Sequence, residues 1–130
     1  MEENNSIDQA AFLEKILQVF EQSALAYHRY LQAGKTFFFA QELKLYNSRA
    51  LALLTGNKYL LPGHLQEDVM SLITHYTEWS EKWEKLAGEK NHHPDDVFAF
   101  ANDITFPKHA AQSLEAAYKD LIRGRIESKT

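Results

Sequence analysis

Four stretches of this chain place apolar residues alternately three and four positions apart, and glycines or prolines bound each stretch. That spacing returns every apolar side chain to one face of a 3.6-residue helix, and a sustained alternation suits helices packed at about +20°. The first seam reads Leu13, Leu17, Phe20, Ala24, Tyr27, Leu31. The second reads Phe39, Leu43, Tyr46, Ala50, Leu53. The third runs Leu65, Val69, Leu72, Tyr76, Trp79, Trp83 and on to Leu86, and the fourth is Ala111, Leu114, Tyr118, Leu121. Short loops make sequential helices antiparallel neighbours, so the expected fold is all-α, an up-down-up-down antiparallel four-helix bundle. A chain of 130 residues is one ordinary domain, and at that size it can bury about two thirds of its unfolded surface without disulfide or metal.

The boundaries follow from capping chemistry. Ser6 with Gln9 is a capping-box pair, and Asp8 adds negative charge to the first turn, so the first helix is expected from Ser6 to about Ala33, with 1–5 a disordered tail. The second should span Thr36 to Thr55, with Gly56 behind it. The third should begin at Gly63 or His64 and stop before Gly88; the fourth should run from Pro107 to about Arg123, with 124–130 fraying. A rival reading fuses the first two helices into one rod through Gly34, since glycine inside a helix costs only about 1 kcal/mol.

The third connection is more elaborate. Phe98, Phe100, Ile104 and Phe106 alternate around Asn102-Asp103, a hairpin pattern; the same residues could form a short helix capped by Asp95 or Asp96. The extended form is slightly favoured, and four large apolar side chains in either form imply a segment folded over an end of the bundle.

Charge and composition remove several functions. With 14 basic and 18 acidic side chains the net charge is −4, which speaks against nucleic-acid binding through an overall basic field. The absence of cysteine removes a disulfide scaffold, a thiolate zinc site and a cysteine nucleophile. No apolar run approaches the roughly 20 residues of a membrane span, so no membrane partner is expected. Met1-Glu2-Glu3-Asn4-Asn5-Ser6 is acidic and polar where a signal peptide is basic and then apolar, and a cytoplasmic location is the expectation.

Two features invite a functional reading. Twelve of the eighteen residues from Phe37 to Leu54 are hydrophobic, and Phe38, Leu45 and Ala52 form a second stripe beside the seam. Either the connection or the other helices cover this stripe, or it is a homodimer interface. Each seam also contains a tyrosine: Tyr27, Tyr46, Tyr76 and Tyr118. At 1.5 Å per residue the four could lie near one level, with His28, Asn47 and His75 as partners for their hydroxyls. Such a layer could be a polar pocket for a small ligand or metal. Alternatively each hydroxyl reaches solvent or backbone, with no shared layer.

Metal and catalytic motifs were sought. The only Glu-x-x-His is Glu89 with His92, behind Gly88, where it cannot point into a core, and His-Glu-x-x-His is absent. His92-His93-Pro94-Asp95-Asp96 is a plausible exposed ligand cluster but reads more simply as solvated turn residues, so no metal and no cofactor are expected. Gly34-Lys35-Thr36 ends like a phosphate loop without the earlier glycine, and no Gly-x-Ser-x-Gly elbow occurs. In size and bundle architecture the chain resembles the HEPN domains, a class of helical nucleases. Their Arg-x(4–6)-His motif is missing: Arg29, Arg49, Arg123 and Arg125 have no histidine at that distance downstream. The expectation is a non-catalytic interaction or regulatory module that forms a homodimer, its partner being itself or another protein. The alternatives are a tyrosine- and histidine-lined ligand-binding bundle and, more remotely, a HEPN-like nuclease.

Overall fold

A computed structural model describes the backbone of residues 2–99 and 105–128, and the side chains of residues 8–99 and 105–124. The described residues form four long helices, α1 (Glu2–Gln32), α2 (Phe37–Asn57), α3 (Gln66–Ala87) and α4 (Lys108–Ser128). Two 3-10 turns, Lys58–Leu60 and Gly63–Leu65, join α2 to α3. The helices pack as a ring in which α1 touches α2 and α4, and α3 touches α2 and α4. Pairings such as Ser23 with Asn47 and Arg29 with Glu42 set late α1 residues against early α2 residues.

Several boundaries differ from the capping argument. α1 begins at Glu2, so Ser6 lies inside the helix and the expected tail over 2–5 is helical. The fused-rod alternative fails at Gly34 and Lys35, whose φ values of 78° and 61° are both left-handed. Gly34 N–H donates to the Leu31 carbonyl at 3.2 Å and Lys35 N–H to the Tyr30 carbonyl at 2.8 Å, the pair of bonds that closes a Schellman terminus. α4 runs on to Ser128, beyond the expected stop at Arg123.

The segment after α3 serves as a cap for α2. Thr36 makes no side-chain capping bond. Instead Phe37 N–H donates to the Asp96 carbonyl at 2.8 Å and Phe38 N–H to the Pro94 carbonyl at 3.0 Å. Two of the orphan donors of α2 are thus met by backbone from far along the chain. Phe98 N–H returns a bond to the Lys35 carbonyl at 2.7 Å, and Thr36 and Val97 form an isolated antiparallel bridge. The extended piece therefore pairs with the α1–α2 turn. The expected turn at Asn102-Asp103, with Phe100 and Ile104, lies outside the described residues.

The core is in two parts. The larger joins Leu13, Ile16, Leu54, Val69, Leu72 and Leu114, all fully buried, across all four helices. Each such side chain contributes about 1.5–3 kcal/mol by leaving water. The smaller joins Ala26, Tyr30, Leu43, Trp79, Trp83 and Phe98, drawn from α1, α2, α3 and the capping segment. The α3 seam is buried as the spacing predicts, with Leu86 half-buried. The seams of α1 and α2 are turned. On α2 the buried set is Ala40, Leu43, Asn47, Ala50 and Leu54 instead of the set containing Phe39, Tyr46 and Leu53. On α1, Ile16, Val19, Ala26 and Tyr30 are buried, whereas Ala24, Tyr27 and Leu31 are exposed. Both helices are apolar on more than one face, so spacing alone left the direction of the core undecided.

Candidate ligand pocket

Between the two core clusters the bundle is hollow. A pocket of about 920 Å³ opens there, lined by α1, α2, α3, α4 and Phe106 of the segment before α4. Its floor consists of the buried residues Leu43, Asn47, Tyr76 and Trp79. The space exists because the facing positions are small: Ser23 and Ala24 on α1 and Ala111 on α4 stand where a filled layer would need leucines.

Aromatic rings form one wall. Phe20 stacks on Tyr76 at 6.3 Å and meets Phe106 edge-on at 5.8 Å. The His75 ring lies 4.9 Å from Tyr76 and 5.3 Å from Phe106, both near perpendicular. These are the offset and T-shaped arrangements that aromatic quadrupoles favour. At the exposed edge are Glu21, Lys108, Gln112, Glu115 and Lys119, with Lys119 paired to Glu115 at 3.1 Å. An exposed pair of this kind adds little stability.

Two polar groups stand out on the inner surface. Asn47 is the one buried polar side chain among the described residues, and its Oδ1 accepts a hydrogen bond from Ser23 Oγ at 2.5 Å. Its amide nitrogen carries two further donors. His75 is held neutral: burial pushes its pKa below the ordinary 6.5, opposed by a hydrogen bond to the Thr105 backbone and by the charge of Glu78. Its Nδ1 is buried with no partner. In the neutral ring one nitrogen keeps the proton and the other a lone pair; with the proton on Nε2 the lone pair is at Nδ1. Burial also drives the Tyr76 phenol far above its ordinary range, so it stays protonated.

Of the residues singled out for a polar layer, Tyr27, Asn47, His75, Tyr76 and Tyr118 all line this pocket. Tyr46 and His28 do not. Tyr46 lies one position from Asn47, hence about 100° around α2, and its ring sits beneath Arg49 at 5.3 Å. His28 is exposed, one position past Tyr27. Phe20, Ser23, Trp79 and Phe106 were not anticipated as site residues; the runs of small residues at Ser23-Ala24 and Ala110-Ala111 were the available sign of a void.

The other sequence features fall elsewhere. Among the described residues the α2 stripe is only partly covered: Phe38 is 55% and Leu45 48% exposed, and Ala52 is exposed as well. The described part of the connection docks at Phe37 and packs Phe98 there, rather than over the stripe. His92 is not a solvated turn residue. Its ring stacks on Phe37 at 4.8 Å and meets Phe98 at 5.1 Å, with Nε2 3.3 Å from the Leu86 carbonyl. Among the described residues no group of three His, Asp or Glu side chains is placed to hold a metal ion. Nor is any helix among them long and apolar enough to cross a membrane.

Comparison with known proteins returned no match: no family model, no curated protein and no solved structure corresponds to this chain.

Proposed function

We propose that the chain is a small-molecule-binding bundle whose ligand is largely apolar, contains a flat ring, and presents a hydrogen-bond donor. One observation carries the reading: a pocket of about 920 Å³ with aromatic walls contains a histidine whose Nδ1 is buried and unpaired. Ligand pockets typically hold about 300–1,000 Å³ and combine apolar walls with a few placed polar groups. An unpaired buried acceptor costs about 1–3 kcal/mol, and a donor on the ligand would remove that cost. Asn47 offers the complementary amide donors at the floor.

The test uses two matched probes, 2-naphthol and naphthalene, followed by thermal unfolding and calorimetry. A probe at 100 times its dissociation constant adds about 2.7 kcal/mol of stability. Both probes are expected to stabilise the protein, 2-naphthol more strongly. Ala111→Phe should weaken both, whereas His75→Phe should weaken 2-naphthol alone. Stabilisation by neither probe, or by both to the same degree in the Ala111→Phe variant, contradicts the proposal.

A further inference from the structure

The outer face of α2 is a part of the described surface that the pocket does not explain. Phe38, Leu45 and Ala52 recur every seven residues, and Tyr59 continues the row in the following 3-10 turn at 75% exposure. Gln41, Ser48 and Thr55 fall between them, giving a 3–4 alternation opposite the buried seam. None of these positions is charged, in a chain where 25% of residues are. At 1.5 Å per residue the strip is about 31 Å long.

We infer that this strip is the interface with a second copy of the same chain, the two α2 helices packing antiparallel about an axis between Tyr46 and Asn47. The charges beside the strip select both the partner and the direction. Glu42 and Arg49 lie seven apart on the flank next to α1, where Glu42 meets Arg29; Lys44 lies on the flank next to α3, where it pairs with Glu84 at 2.8 Å. In a packed helix pair, parallel chains bring unlike flanks together and antiparallel chains bring like flanks together. A parallel pair would set Lys44 against Arg49 of the other copy, twice. An antiparallel pair sets Glu42 against Arg49 of the other copy, twice, on either side of the axis.

The same register fits by size. Leu45 of one copy faces Ser48 of the other, Phe38 faces Thr55, and Gln41 faces Ala52, so each layer joins a larger to a smaller side chain. A two-fold interface must be self-complementary, and this strip is so in charge and in volume.

Sedimentation equilibrium tests the assembly, with circular dichroism to confirm that the variants fold. The wild-type chain is expected to dimerise, and Leu45→Glu, on an exposed position, should leave a folded monomer. Arg49→Glu places like charges together twice and should weaken association about tenfold; the exchange Glu42→Arg with Arg49→Glu should restore it. Orientation is read by cross-linking, because the native chain has no cysteine. Gln41→Cys with Ala52→Cys should form disulfides between copies, and Gln41→Cys alone should not, its two positions being about 17 Å apart in this register. A wild-type monomer at about 100 μM, where a standard interface is saturated, overturns the inference. So does a dimer indifferent to Leu45→Glu, an exchange that fails to restore association, or self-linking of Gln41→Cys.

Discussion

Two neighbouring regions of the bundle draw on α1, α2 and α3 with the same spacing, yet the one around Phe98 is filled and the one opening toward α4 is hollow. Around Phe98 the Tyr30 hydroxyl donates to the Phe98 carbonyl and Trp83 Nε1 donates to the Ala40 carbonyl at 3.2 Å, while His92 Nδ1 is buried with no partner. Three rings, Phe37, Trp83 and His92, surround Phe98, which is 1% exposed. Around Tyr76, by contrast, alanines and a serine leave space. The difference teaches that helical spacing decides which way side chains face, whereas side-chain volume decides whether the shared interior closes.

The largest contrast should come from truncation. Phe98→Ala removes the ring on which the filled region closes and should cost about 3–5 kcal/mol in chemical denaturation. The same substitution at Tyr118, half-buried at the pocket, should cost clearly less. Equal losses at the two sites would erase the distinction between the regions.

Enlargement sharpens it in the opposite sense. Ala26 is fully buried in the filled cluster, and Ala26→Leu should cost about 1–3 kcal/mol through overpacking. Ala111→Leu projects into free volume and should change stability by less than about 1 kcal/mol. A large loss from Ala111→Leu would mean the pocket is closed to added side chains.

The smallest effect is a pH dependence confined to the hollow region. Burial holds the folded-state pKa of His75 below the ordinary 6.5. Below pH 6.5 the unfolded chain takes up a proton that the folded chain does not bind until lower pH. Stability should therefore be fully present above that pH and decline as pH falls toward the folded-state pKa. His75→Phe should flatten this part of the profile, which denaturation midpoints at a series of pH values would show. An unchanged slope would assign the effect to other groups.

Much of this architecture was legible in the residues. The α3 seam from Leu65 to Trp83 is apolar on one face only, so its direction was unambiguous, and Gly34 marked the break before α2. The seams of α1 and α2 were misdirected because Leu17, Phe20, Tyr46 and Leu53 offer equally regular apolar faces. Asn47 was read as a partner for tyrosines but not as a core residue, since its burial depends on Ser23 in another helix. The cap on α2 could not be read locally: its acceptors, Pro94 and Asp96, lie nearly sixty residues away in sequence. Five of the seven residues expected at a polar pocket do converge, whereas its volume follows from Ser23, Ala24 and Ala111, which periodicity treats like any other core position.

The two tryptophans divide between these regions, Trp79 at the pocket floor and Trp83 against Phe98. Fluorine NMR of protein labelled with 5-fluorotryptophan, assigned with Trp79→Phe and titrated with 2-naphthol, therefore tests the account of the hollow region most directly. The Trp79 signal should shift saturably while the Trp83 signal stays in place. Two unmoved signals, or two that move together, would contradict it.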